Sequence, residues 1–181
     1  MAGAVRDEGS VLALNFFPHL LKNLTPDIFK NYVSSADQLF HDLNVEKITD
    51  FYLKNVNTSD SLALRKAFFK FYGDLFIKCG TYHFAKLFNT KTPKSKTYFY
   101  ELTYESKVFS DSGCDQQTMG ICHSADLEFV FGYHFGNEKS ITKLDIDFTE
   151  YVMKLWTNFA KTGYLMIIFL LFISIFLTLF H

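Results

Sequence analysis

His123 stands between a small-residue turn and a run of acids and large apolar side chains, in the stretch Met119-Gly120-Ile121-Cys122-His123-Ser124-Ala125-Asp126-Leu127-Glu128-Phe129-Val130-Phe131-Gly132. An imidazole on a loop after a strand can serve as a general base, because its pKa lies close to neutral and it can take and return a proton. Most isolated histidines are surface or core residues, so residue type alone does not assign the role. The flanking Cys122 and Ser124 are potential nucleophiles by type, but neighbours on a loop rarely point the same way and neither sits in a glycine frame. Glu8 lies in the polar, glycine-containing stretch Arg6–Ser10 and reads, by its surroundings alone, as a solvated loop acid. Asp126 and Glu128 follow the histidine closely, and supplying polar satisfaction beneath the loop suits them as well as chemistry does.

The elements that would position these groups can be sketched from pattern. Thr97 to Tyr104 is dense in aromatic and β-branched residues and predicts a mostly buried strand, followed by a Ser/Asp/Gly/Gln-rich loop over 105–118 that leads to His123. Residues 2 to 5 are small and apolar and suit the end of a strand. Thr25-Pro26-Asp27 is a helix start, with a Thr cap, Pro at the first helical position and an acid in the first turn; Ile28, Phe29, Tyr32 and Val33 then share a face. A second helix is expected from about Ser59-Asp60-Ser61, with Gly73 as a break or stop, and a third over 75–88, in which His83 is expected to be packed among Tyr82, Phe84 and Leu87. Over 144–162, Phe148, Val152, Leu155 and Phe159 step by four, three and four, and Gly163 supplies the stop. The lysine-bearing turn Lys91–Lys96 reads as solvated.

The segment Gly-Ile-Cys-His-Ser-Ala-Asp-Leu-Glu-Phe-Val-Phe-Gly over 120–132 resembles the catalytic-histidine segment of type-B carboxylesterases and cholinesterases. Gly3-Ala4-Val5-Arg6-Asp7-Glu8-Gly9-Ser10 is similar to that family's triad-acid segment, and Leu155-Trp156-Thr157-Asn158-Phe159-Ala160-Lys161-Thr162-Gly163 to the helix that follows its histidine. The three occur in the family's order. The resemblance implies an α/β class, a partial α/β-hydrolase fold of a few mostly parallel strands with three to five helices, over residues 1–163. It makes Glu8 and His123 the acid and base of a serine-esterase triad, puts Asp126 and Glu128 at the family's acidic positions, and implies no cofactor and no metal. In cholinesterases the cysteine matching Cys79 is bridged to one near the C-terminus, which would leave Cys79 unpaired here. Ala125 replaces an aromatic of the cholinesterases, which tilts the expected substrate towards a general, small carboxylic ester. No Gly-x-Ser-x-Gly occurs in the 181 residues, nor the family's oxyanion-hole Gly-Gly run, so the chain alone is expected to be inactive. A noncatalytic, membrane-anchored adhesion ectodomain of the same fold is the alternative.

Bulk properties bound the rest. A chain of 181 residues with 49% hydrophobic content, 22 Phe and 10 Tyr can bury a proper core. A net charge of −1 without a basic patch gives no reason to expect a nucleic-acid partner, and none is expected. Cys79, Cys114 and Cys122 fit no zinc spacing, and for the latter two a buried free thiol is at least as good a reading as a bridge, so their pairing stays open. Asn23-Leu24-Thr25 and Asn57-Thr58-Ser59 are glycosylation sequons, which act in a secreted setting, although the first residues carry no signal-peptide pattern and so point to an absent N-terminal portion. Residues 164–180 carry no charge and, as a helix, would reach about 25 Å, the lower limit for a bilayer span. A transmembrane helix there is expected, placing the protein in a membrane of the secretory pathway or cell surface; a lipid-anchor signal would need a polar spacer that is missing, and an apolar extension foreign to the domain is the other alternative. The oligomeric state has no signature in the sequence.

Overall fold

The structure, a computed structural model, describes residues 1–92, 94–106, 113–135 and 141–165, together with the backbone of 175–180. The chain opens with β1 (Ala2–Val5) and α1 (Gly9–Phe16), passes a 3₁₀ turn at Pro18–Leu21, and continues through α2 (Pro26–Phe40), α3 (Val45–Leu53) and α4 (Ser61–Gly73). A π-type turn over Asp74–Lys78 leads directly into α5 (Cys79–Lys91). Then come β2 (Thr97–Leu102), the short α6 (Gln116–Met119) and α7 (Ala125–Val130), the long α8 (Lys143–Thr162) and β3 (Ile175–Phe180). The class is helix-rich α/β, with eight α-helices among the described residues against the three to five expected.

Local chemistry explains most boundaries. Thr25 caps α2 through its hydroxyl, which accepts from the Ile28 amide, and Pro26 occupies the first position, where a missing N–H costs nothing. Asn44 and Asp60 cap α3 and α4 by accepting from Lys47 and Leu62 amides. At α8 the Thr142 hydroxyl and the Asp145 carboxylate satisfy each other's amides in a capping box, and Gly163, at φ 72°, closes the helix by donating to the Phe159 carbonyl.

β2 lies between its two partners. β1 pairs with it in parallel, Val5 opposite Leu102, and β3 pairs antiparallel, Ile175 opposite Leu102 and Phe180 opposite Thr97. The expected mostly parallel set of strands is therefore a mixed sheet. The expected helix over 164–180 is corrected in the same place: 175–180 is a strand, and 166–174 lie outside the described residues. A continuous apolar run has no periodicity to tell a buried strand from a buried helix. Ile175, Phe176 and Thr178 also suit a pleated surface, and pairing here satisfies the second edge of β2. Among the described residues, no helix is long and apolar enough to cross a membrane.

Two apolar clusters flank the start of the chain. One joins Val5, Tyr100, Leu102 and Tyr104 to Ile121, Phe129 and the Phe148/Val152/Leu155 face of α8, so that the stripe spaced four and three is the buried one. The other packs Leu20, Phe29, Val33, Leu64, Phe68, Phe71 and Tyr72 among the helices, with Phe29 edge-on to Phe68. The two meet where α1 crosses α4. There Gly9 and Gly73 touch backbone to backbone, and a Cβ on Gly9 would stand 2.0 Å from the Phe69 carbonyl oxygen. Gly73 thus serves close approach, and the helical path runs on past it instead of stopping. His83, expected to be packed, is exposed, because α5 buries the Ala85 and Asn89 side.

Candidate active site

The link from sequence to site is a single parallel bridge. After β1, the Arg6 amide donates to the Leu102 carbonyl, and the Asp7 amide donates to the Ile121 carbonyl, at 2.9 and 3.1 Å. Asp7 thereby sits opposite Cys122. In a parallel pairing the next residue on each side also falls together, and those residues are Glu8 and His123.

Their side chains meet. His123 Nδ1 lies 2.5 Å from Glu8 Oε2. Glu8 is 5% exposed, and its other oxygen, Oε1, accepts the Val5 amide at 2.9 Å. A carboxylate held from both sides has little freedom to turn, so it fixes the imidazole's orientation. With Glu8 ionised, Nδ1 carries the hydrogen and donates, which leaves Nε2 as the nitrogen able to accept a proton. His123 itself is exposed.

The loop under His123 is held at several points. The Ile121 amide donates to the Asp7 carboxylate at 2.8 Å, and the Ser10 hydroxyl donates to the Asp7 carbonyl at 3.0 Å. Gly120 has φ 71°, and a Cβ there would lie 2.1 Å from the Asp7 carboxylate oxygen, so the turn requires glycine twice over. Ser124 adopts φ 73°, a left-handed conformation that a side chain tolerates only where its surroundings impose it. Cys114 and Cys122, whose pairing the sequence leaves open, are joined in a disulfide at a sequence separation of 8. Their Cα atoms are 6.2 Å apart, within bonding range. The Gly120 turn folds the chain back and makes that approach, which spacing alone did not reveal. Cys79 is a free, exposed cysteine.

The neighbouring acids go elsewhere. Both stand in the first turn of α7, where a carboxylate is favoured by the helix dipole. Asp126 accepts from the Tyr100 hydroxyl at 2.7 Å; burial first, then Asp126 and Glu8, push that phenol's pKa far up, so it stays protonated and donating. Glu128 turns towards His134, its Oε2 being 3.7 Å from Nε2. His134 had no distinguishing pattern in the sequence, yet it is fully buried and stacked on Phe129 at 4.8 Å. Burial raises the pKa of Glu128 and lowers that of His134, which favours the neutral form of each. Asn23 and Asn57 both lie exposed outside helices, Asn57 accepting from the Ser59 amide. Among the described residues, no group of three His, Cys, Asp or Glu is placed to hold a metal ion.

Comparison with known proteins bears on the family. The model of the carboxylesterase family matches residues 1–165. The chain is 29% identical over 170 residues to acetylcholinesterase-1 of Trittame loki, covering 89% of this chain and 29% of that protein. It is 25% identical over 168 residues to the cholinesterase of Mus musculus, covering 91% and 27%. The chain thus spans less than a third of the length of these relatives. A match over nearly the whole described domain decides the family: this chain belongs to the carboxylesterases.

Proposed function

We propose that the chain carries the acid–base half of a serine carboxylic-ester hydrolase, with Glu8 as the orienting acid and His123 as the general base. The observation that carries this reading is the 2.5 Å contact between His123 Nδ1 and a buried Glu8 that is itself held by the Val5 amide. In such a machine the base takes the hydroxyl proton of a serine through Nε2 as that oxygen attacks the ester carbonyl, then returns it to the leaving alcohol. Glu8 stays ionised and stabilises the imidazolium formed between the two steps. The serine and the amides that hold the oxyanion would come from a Gly-x-Ser-x-Gly elbow and a glycine-rich loop, neither of which occurs in these 181 residues. Alone, therefore, the chain turns over no ester. The substrate class is a small carboxylic ester, and Ala125, where cholinesterases carry an aromatic, favours one without a quaternary ammonium. Asn23 and Asn57, both exposed, suit a glycan-bearing protein of the secretory pathway.

The test has two arms. Purified chain with a short-chain aryl ester should show no turnover above background. In the second arm this chain replaces the matching region of the Trittame loki relative, which supplies the rest of the domain. That chimera should hydrolyse the aryl ester, and His123→Ala should lower kcat by about a thousandfold or more. A folded chimera with no activity, or one that His123→Ala leaves unchanged, would overturn the assignment and favour the noncatalytic adhesion reading.

A further inference from the structure

We propose that the Cys114–Cys122 disulfide is a positioning element for the catalytic base, holding His123 in register with Glu8; this rests on the acid–base reading above. Cys122 is the residue immediately before His123 and the residue opposite Asp7 in the parallel bridge, so one position joins the sulfur bond, the bridge and the imidazole. Both cysteines are buried, at 5% and 3% exposure, whereas His123 is exposed. The disulfide therefore anchors the last buried residue before the chain emerges to present its ring.

Two features show why an anchor is needed at that point. On one side Gly120 turns the backbone at φ 71°, and on the other Ser124 holds φ 73° without glycine's freedom. A backbone reversed on both sides of a three-residue segment does not keep its register through local preference; something must over-determine it. The bridge contributes one hydrogen bond from Asp7 to Ile121 and one back to the Asp7 carboxylate. The Ser10 hydroxyl, which donates to the Asp7 carbonyl, also lies against the Cys122 sulfur at 3.5 Å and so packs α1 on the same point. The disulfide closes a short loop, and chain-entropy stabilisation grows with loop length, so its contribution to global stability is at the small end for such bonds. Its effect is instead concentrated on the segment that carries His123.

The test reads the Nδ1 proton directly in the full chain labelled with ¹⁵N-histidine. Oxidised wild type should show a downfield Nδ1–H resonance that Glu8→Gln removes. In Cys114→Ser/Cys122→Ser that resonance should broaden away or exchange with water faster by about tenfold or more, while the amide shifts of α8 stay in place. A second variant, Cys114→Ala/Cys122→Val, restores apolar volume without the covalent bond and should behave like the serine pair. If either variant keeps the wild-type resonance, packing suffices and the proposal fails. If the α8 amides collapse together with the resonance in both variants, the bond holds the whole domain, and the proposal fails in that way too. Absence of the resonance from oxidised wild type would remove the Glu8–His123 contact itself, and with it the acid–base reading, an outcome distinct from the other two.

Discussion

A carboxylate as enclosed as that of Glu8 is costly to bury unless every oxygen finds a donor, and here one oxygen takes the Val5 amide while the other takes the imidazole. Glu8→Gln keeps the shape but loses the charge and one acceptor, so it should destabilise the fold by about 1–3 kcal/mol in urea unfolding. Gly120→Ala is expected to cost a comparable amount, about 1–3 kcal/mol, because it combines a left-handed φ with a Cβ driven into the Asp7 carboxylate. An unchanged urea midpoint in Gly120→Ala would mean that the turn relaxes freely. At this scale the sequence was readable where a family pattern preserves residue order: Glu8 and His123 could be named, although they lie 115 positions apart. It was unreadable where the role depends on what folds alongside. Nothing around His134 announces that Phe129 will stack on it, and a spacing of 8 between Cys114 and Cys122 does not tell a bridge from two free thiols.

Helix ends were the most legible elements, because capping is written in local residue types: Thr25-Pro26, Asp60 and Gly163 all act where their chemistry placed them. Elements that depend on a neighbour were not. The beginning of α1, expected as a loop, becomes helical under cover of α4, and α3 has only a short amphipathic face beyond its Asn44 cap. Gly9→Ala should cost about 3 kcal/mol or more, since the methyl meets backbone of α4 and backbone cannot swing aside. The start of α8 makes a pH prediction. Asp145 is buried; burial alone would raise its pKa, but the Thr142 hydroxyl and amide and the Tyr104 hydroxyl outweigh that and hold it below the ordinary value. A depressed carboxylate pKa contributes stability that is present above the unfolded value of 3.8 and is lost as pH falls through the folded one. Asp145→Asn should therefore lose about 1–3 kcal/mol near neutrality, and the gap from wild type should narrow below pH 3.8. A gap that stays constant down to strong acid would show that the charge contributes nothing.

At the scale of the whole molecule, two apolar clusters meet at α1, but much apolar surface stays outside them. Phe84, Leu87 and Phe88 on α5 are each about half exposed or more, as are Phe131 and Tyr133 after α7. Among the described residues β1 is also an edge strand, with its ladder to β2 on one side only. An open strand edge beside exposed aromatic rings favours association of like chains. Sedimentation velocity on the purified chain should then show mass rising with concentration, and raising the salt should not reverse it, because apolar contact is not screened as ion pairs are. Phe84→Lys with Phe88→Lys, on a face where the two rings lie 6.2 Å apart, should shift the distribution towards monomer without altering the unfolding midpoint, since neither ring is part of a buried cluster. A wild-type chain that sediments as a monomer at every concentration would show that this exposed surface does not drive association.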